Sequence, residues 1–376
     1  MTLSRRDLLK LTLGAPLLGL APQLLASCAK RPLPDGDLLD FGRERAHRAL
    51  RKKGLTLDAL PADVPRLARR VVVVGAGIAG LSAAWRLHAA GLSAEDLTVC
   101  ELEPVPGGTA RSGRSALTAF PWGAHYVVTP FKEDRAMVRL LTELGALDGV
   151  DAHGHPRPAE HAAVRELEER HFYEGRFDKG LYPHRDETGS ERDDLRRFDA
   201  LLTDLATRFD PRGRRPFDLP VRLASDDPAT ADLDAITFGA WLDRHKLTSW
   251  RLRWLCDYAC RDDYGTSLTE CSAWAGLLYF LARKRPELEM WDRPVITWPE
   301  GNGHLVNHLA GLLGPSLRTG ELVIDIDADD HGARVLALDP SDGPVLYQCD
   351  RVIVATPRHV AARIVRAYRE SPPSWL

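Results

Sequence analysis

Residues 69–101, RRVVVVGAGIAGLSAAWRLHAAGLSAEDLTVCE, constrain the fold more than any other stretch of the chain. Val71 to Val74 is a β-branched apolar run of the kind buried on both faces of a parallel sheet. Gly75-Ala76-Gly77-Ile78-Ala79-Gly80 follows at once, and Leu81, Ala84, Leu87 and His88 then recur at helical spacing. The order is strand, tight glycine turn, helix. Gly75 permits the turn, Gly77 lets a pyrophosphate approach the backbone, and Gly80, one residue past Ala79, lets helix and strand pack closely. The helix N-terminus offers unpaired amides and positive potential to the phosphates. Leu97 to Cys100 forms the second strand, and Glu101, closing it, stands where an acid accepts hydrogen bonds from an adenosine ribose. The spacing predicts dinucleotide binding; the competing reading is a glycine turn used only for packing.

The rest of the chain fits an ordinary soluble body. Its 376 residues are 44% hydrophobic and 27% charged with a formal net charge of −3, which implies two domains or one large α/β domain with an insertion, and no basic excess for nucleic acid. Ser4-Arg5-Arg6-Asp7-Leu8-Leu9-Lys10, an acid-free apolar run from Leu11 to Ala26, and Leu25-Ala26-Ser27-Cys28 resemble a twin-arginine signal ending in a lipobox. The competing reading is a membrane anchor, but a span needs about 20 apolar residues. This run is shorter and carries Pro16 and Pro22. Cys28 is then the lipidated mature N-terminus, and Ala29 lacks the aspartate that resembles an inner-membrane retention signal. The expected location is the periplasmic side of a bacterial membrane, with the twin-arginine export machinery as a partner and the lipid as the sole membrane contact.

Cys100, Cys256, Cys260, Cys271 and Cys349 include no C-x-x-C pair or metal-ligand spacing, so buried free thiols are expected, with one disulfide left open. His153, His155 and His161 sit among glycine and prolines, which predicts a solvated loop and no metal site. From Lys30 to Arg70 the pattern is a polar helix in DFGRERAHRALRKKG followed by a linker in LPADVPRLARR.

Beyond Glu101 the chain reads Glu103-Pro104-Val105-Pro106-Gly107-Gly108-Thr109-Ala110-Arg111-Ser112-Gly113. This resembles the signature after the second strand in flavin amine oxidases and phytoene-desaturase-like enzymes. There an acid, a short spacer, a Gly-Gly pair and usually an arginine lie along the FAD pyrophosphate and flavin. Here Thr109 follows the glycines, and Arg111 and Arg114 are the nearest basic residues. FPWGAHYV, from Phe120 to Val127, resembles the family's Gly-Ala segment and implies Gly123, Ala124 and His125 beside the isoalloxazine, with His125 as catalyst or as packing partner. GELVIDID resembles the strand whose valine backbone holds adenine, here Val323, and DRVIVATPRHVAARIV resembles the strand returning to the FAD sheet. The resemblances cover Arg70 to Val365 in family order and imply the flavin-dependent amine oxidase superfamily with FAD as cofactor.

The implied fold is α/β, a Rossmann-like FAD-binding domain split by a mainly helical substrate domain. The expected segments are 1–28 signal with lipobox, 29–67 linker and polar helix, 68–130 first FAD part, 131–290 substrate domain and 291–376 second FAD part. The insertion carries a hairpin signal around Glu174-Gly175 in RHFYEGRFDKGLYP, and GNGHLVNHLAGLLG leads back through a short amphipathic helix. In WLCDYACRDDYGTSLTECSAWAG, helical spacing puts Trp254 near Tyr258 and Asp257 near Arg261, with Asp262 and Asp263 at the helix end. Either this is a polar wall for a cationic amine, or, as the preferred reading, its aromatics pack in the core while its charges pair locally.

The resemblance implies an oxidoreductase that moves hydride from a C–H bond of a small-molecule substrate, an amine among the candidates, to flavin N5, with oxygen or another acceptor reoxidising it. An FAD-dependent desaturase or isomerase of a lipid-like substrate and a non-catalytic nucleotide-binding protein are the alternatives. In the family, a long portion with a second glycine-containing FAD motif follows the return strand. Here Arg358 to Leu376 follow it, so an incomplete second FAD part, weak FAD binding and poor turnover are expected. Cys28→Ala is expected to abolish lipid labelling and release the protein from the membrane fraction, and Arg5-Arg6 to Lys-Lys to block export; labelling that persists in C28A would overturn the lipobox.

Overall fold

The main sheet has six strands, β1 (Arg66–Val74), β2 (Leu97–Glu101), β3 (Leu317–Thr319), β4 (Leu322–Asp329), β5 (Gly332–Leu338) and β6 (Pro344–Val354), in spatial order β3-β2-β1-β6-β5-β4. Strands β3, β2, β1 and β6 run parallel, while β4, β5 and β6 form an antiparallel meander. Among the helices are α1 (Ile78–Ala89), α2 (Gly189–Thr207), α3 (Phe238–Arg244), α4 (Trp250–Tyr264), α5 (Ala273–Leu281) and α6 (Gly303–Leu313). This computed structural model describes residues 42–51, 55–165, 169–282, 284 and 294–374. The expected signal with Cys28 lies outside the described residues. The chain divides into Met1–Glu44 and Arg45–Leu376, and the contacts below belong to the second unit.

Alternation along β1 and β2 creates two cores. Val73, Leu97 and Val99 point to one face, where they meet Leu81, Ala84 and Trp85 of α1 and Leu305, Val306 and Leu309 of α6. Val72, Val74 and Cys100 point to the other and pack with Val323, Val335, Tyr347 and Ile364. Burial of both faces explains why Val71 to Val74 is unbroken by polar residues. The strand begins earlier than its apolar run: Arg66 to Arg69, expected in a linker, pair with Leu346 to Cys349 of β6. Strand β6 is long enough to offer them a backbone edge, and their side chains alternate toward solvent.

The first-face core also takes in Leu140, Leu141, Ala146 and Ala162, so the sheet's packing extends past the boundary expected at residue 130. Helices α2 to α5 build a separate core from Phe198, Phe238, Trp241, Leu252, Cys256, Leu277 and Leu281. A capping box between Thr188 and Glu191 starts α2. The hairpin signalled by Glu174-Gly175 is present: Arg170–Tyr173 pairs antiparallel with Arg176–Lys179, and Glu174 (φ 47°) and Gly175 (φ 77°) supply the left-handed turn.

All five described cysteines are free and buried. His155 departs from the solvated loop expected for it. It is buried against Phe131, ring centroids 5.1 Å apart, and its backbone amide donates to Asp151 at 2.8 Å. Satisfying the backbone of a tight turn draws this histidine inward while His153 stays exposed.

A β-carbon at Gly276 in α5 would overlap the ring of Phe238, which is fully buried. Gly276→Ala is expected to lower stability by about 1–3 kcal/mol through overpacking, read as a lower urea midpoint with unchanged m-value.

Candidate functional site

The glycine turn is held by its neighbours on three sides. Gly75 (φ +97°) donates to the Cys100 carbonyl at 2.8 Å, and a β-carbon there would stand 3.0 Å from the Ala355 oxygen. Gly80 faces back onto the turn so closely that a β-carbon would overlap the Gly75 carbonyl oxygen. Gly77 differs: its φ is −68° and nothing lies within 4 Å of where its β-carbon would be. It caps α1 with no side-chain hydrogen bond, so the first amides of the helix, including those of Ile78 and Ala79, have no side-chain cap. Side-chain bulk is thus excluded at Gly75 and Gly80 by the fold, and at Gly77 only by whatever fills the space beside it.

Glu101 does two things at once. Its Oε2 accepts from the Ala76 amide at 2.7 Å and its Oε1 from the Glu103 amide at 2.9 Å, so the acid ties the glycine turn to the segment after β2. The Gly107 amide returns to the Ala76 carbonyl at 2.8 Å, and Gly77 and Gly107 form a parallel bridge. Gly107 (φ +118°) and Gly108 (φ +55°) are left-handed, which lets the second glycine pair lie against the first; a β-carbon on Gly108 would be 3.5 Å from the Gly77 Cα.

Arg111 forms an ion pair with Glu103 and donates to the Gly108 carbonyl at 3.2 Å. Burial pushes the Glu103 carboxyl above its ordinary pKa, against the pull of Arg111. Gly123 and Ala124 close on the same segment, since the Ala124 amide donates to Thr109 O at 2.9 Å and a β-carbon on Gly123 would stand 2.7 Å from that oxygen. His125 is exposed; its Nδ1 lies 3.2 Å from the Gly123 carbonyl and its ring meets Tyr126 edge-on. Val323 buries its side chain in the second core, which leaves its backbone for any contact outward. Its strand reaches the site through the Gly320 amide, which donates to Glu103 O at 3.1 Å.

Two residues within segments already quoted, Thr356 of DRVIVATPRHVAARIV and Asn302 of GNGHLVNHLAGLLG, stand out only in the structure. Thr356 at the end of β6 and Asn302 at the start of α6 each carry a buried oxygen, Oγ1 and Oδ1, with no protein partner among the described residues. Asn302 Nδ2 donates to Tyr126 O at 3.1 Å. The open space beside Gly77 and the uncapped first amides of α1 are what the pyrophosphate of a dinucleotide would occupy, and the residues present fit one. The asparagine stands in plain view in GNGHLVNHL, but only the tertiary contact to Tyr126 marks it.

A second surface lies on α4. Its buried face carries Leu252, Cys256, Ala259 and Cys260, so Trp254, expected in the core, is 40% exposed. The 252-256-260 spacing claims the inner side and rotates 254 and 258 outward. Trp254 and Tyr258 stack at 5.9 Å and 22°, the hairpin brings His171 to 6.2 Å from Trp254, and Asp257 pairs with Arg261 at 2.5 Å as expected. Burial raises the Tyr258 phenol's pKa, with Asp262, Glu169, Tyr126 and Asp263 adding to it. Tyr279 is raised by burial first and then by Tyr258 and the same three acids. Asp262, Asp263 and Glu169 therefore act on both Tyr258 and Tyr279. A separate cavity of about 470 Å³, lined by Leu205, Phe209, Ile236, Trp241 and His245 among others, shares no residue with either surface.

Comparison with known proteins agrees with this geometry. A sequence model described as flavin containing amine oxidoreductase matches residues 78–373. The chain belongs to the flavin-containing amine oxidoreductase family. FAD is the cofactor that comes with this membership. No curated protein sequence matches significantly. Among solved structures, putrescine oxidase bound to putrescine superposes with a TM-score of 0.57 at 23% identity, over 80% of this chain and 60% of the other. Cyclohexylamine oxidase from Brevibacterium oxydans gives 0.54 at 19% over 79% and 60%, and a fatty acid isomerase from P. acnes that produces CLA gives 0.55 at 19% over 82% and 62%. These likenesses establish the fold, an α/β family member with a parallel-stranded sheet. The chain spans about 60% of the length of these amine oxidases.

Gly77→Val is expected to strip flavin from the purified protein while leaving the flavin-free chain folded, because a β-carbon there has no protein atom within 4 Å. Glu101→Ala should weaken flavin binding by about 1–3 kcal/mol through loss of charge-assisted hydrogen bonds. Loss of the flavin-free fold in G77V, seen by circular dichroism, would contradict the assignment.

Proposed function

We propose that this family member is an exported, FAD-dependent amine oxidoreductase tethered through Cys28 on the periplasmic side of a bacterial membrane. FAD is loaded in the cytoplasm, and a twin-arginine signal carries folded chains, so the proposed route and the family's cofactor are mutually consistent. In this reading the α1 amides at Gly77, Ile78, Ala79 and Gly80 hold the pyrophosphate. Gly75 shapes the turn beneath them, and Glu101 takes the ribose while fixing that turn through Ala76. Gly107, Gly108 and Arg111 border the pyrophosphate and the flavin, Val323 offers its backbone to adenine, and Gly123, Ala124 and His125 flank the ring. FAD, when bound, would supply the redox chemistry, the oxidation of a C–H bond next to the substrate nitrogen with oxygen or another acceptor as the final oxidant.

The chain's own residues then bind and orient. Donation from His125 Nδ1 to the Gly123 carbonyl requires a proton on Nδ1 and leaves Nε2 of this exposed ring, when neutral, as an acceptor for a substrate donor. The observation that carries the amine assignment is the α4 surface. Exposed Trp254 and stacked Tyr258, within the field of Glu169, Asp262 and Asp263, attract a cation through ring quadrupoles and charge, whereas a polyene gains nothing from the acids. The fold likeness to a fatty acid isomerase keeps a lipid substrate as the second reading.

Anaerobic mixing of the flavin-loaded protein with primary amines is expected to bleach the oxidised flavin band, and with polyunsaturated fatty acids to leave it. Trp254→Ala combined with Tyr258→Ala should weaken amine binding about tenfold, in line with two lost cation–π contacts, with flavin content unchanged. Isomerisation of the fatty acid without reduction by amines would establish the second reading, and no response to any donor would mark a non-catalytic nucleotide-binding protein.

A further inference from the structure

Helix Arg43–Arg51 precedes the family-matched span of 78–373, yet one of its side chains is anchored deep in the sheet's rim. Arg45, with a side chain 18% exposed, donates Nε to Asp342 Oδ1 at 2.7 Å, Nη1 to the Gly320 carbonyl at 2.7 Å, and Nη2 to the carbonyls of Leu338 at 3.3 Å and of Asp339. A guanidinium spread over three carbonyls and a carboxylate uses its whole fork, which lysine cannot reproduce. The carbonyl it reaches at Gly320 belongs to a left-handed residue (φ +75°) at the turn between β3 and β4.

From Gly320 the hydrogen bonds continue unbroken to the glycine turn. The Gly320 amide donates to Glu103 O at 3.1 Å, the Glu103 amide to Glu101 Oε1 at 2.9 Å, and the Ala76 amide to Glu101 Oε2 at 2.7 Å. The same turn leads into buried Glu321, whose Oε2 accepts from Tyr347 OH at 2.6 Å, and then into Val323. Arg45 therefore grips from outside the loop whose inner side abuts the ribose acid and the adenine strand. Ala46 and Ala49 of its helix, with Leu55, Leu57, Leu60 and Val64, cover Leu322, Ile324, Leu336 and Leu338, so the grip is backed by apolar packing along β4 and β5.

We propose that Arg45 is a positioning residue for the adenosine half of the cofactor, acting through Gly320 and Glu103 on the orientation of Glu101. The proposal rests on the FAD placement above. Pinned at Gly320 O, the turn presents its amide to Glu103; the ladder at Leu322 and Val323 and the Tyr347–Glu321 bond hold the rest of the segment, so loss of the pin loosens the Gly320–Glu103 bond and with it one of the constraints that aim Glu101. The effect is confined to the adenosine end, because the Gly123–His125 segment is braced separately, by Thr109 O and by Asn302.

The test is a titration of the flavin-free full chain with FAD and with FMN, which lacks the adenosine half, alongside amide exchange and melting. Arg45→Ala is expected to weaken FAD about tenfold, equivalent to one charge-assisted hydrogen bond, while FMN affinity is unchanged. Amide exchange should accelerate at Gly320 and Glu103. Arg45→Lys should fall between, and Asp342→Asn, which spares the carbonyl contacts, should resemble wild type. A lowered melting temperature with FAD affinity intact, or FAD and FMN weakened equally, would overturn the positioning role. A wild-type chain that takes up FMN but shows no preference for FAD overturns it as well. If wild type binds neither flavin, the FAD placement itself fails and this inference with it.

Discussion

Helix α1 can leave β1 at the angle it does only because position 80 has no side chain: a β-carbon there would overlap the Gly75 carbonyl oxygen. That close approach sets the first helix against the sheet, brings its uncapped N-terminus over the strand ends, and lets Leu81, Ala84 and Trp85 enter the core beneath. The glycine turn and the segments bonded to it are set by this contact. The return strand β6 reaches the same turn, with Ala355 against both Gly75 and Gly80, so the crossing of β1, α1 and β6 is one packed knot of small residues. Larger side chains there would separate helix from strand and open the cradle that Gly77 leaves free.

Around that knot the polar groups form a circuit. Glu101 bonds to the amides of Ala76 and Glu103, Glu103 pairs with Arg111, and the Gly107 amide bonds back to Ala76. A carboxylate accepting backbone amides on both oxygens is oriented before any ligand arrives, which lowers the ordering cost of binding. The arrangement also accounts for the partner of Arg111. With Thr109 where the family often places arginine, the nearest guanidinium is two residues on and finds Glu103 within reach.

The helical layer follows another logic. Helix α4 buries small and aliphatic residues and turns its aromatics outward, where the Arg170–Tyr173 strand sets His171 6.2 Å from Trp254 at a tilt of 47° and Tyr173 5.9 Å from Trp250. Arg251 lies 4.7 Å over the Trp250 ring and is itself held by the Pro183 carbonyl at 2.9 Å. Exposed aromatics braced in this way keep a fixed geometry without joining a core, which suits a recognition surface better than a packing one.

Much of this was legible in the sequence because it depends on spacing within a few residues. The strand, the glycine turn, the helix and Glu101 follow from local periodicity and from the conformational freedom of glycine, and the Glu174-Gly175 turn follows from its left-handed requirement. These are short-range rules that hold wherever the chain is placed. Which side of α4 faces inward, why the strand starts at Arg66, how His155 becomes buried, and the reach of Arg45 to Gly320 were settled only by tertiary structure. Each depends on a partner many residues away: β6 for Arg66, Phe131 for His155, the core of α2, α3 and α5 for α4, and the β3–β4 turn for Arg45. Local pattern says that a residue can pair or be buried; the surface that folding brings against it decides whether it is.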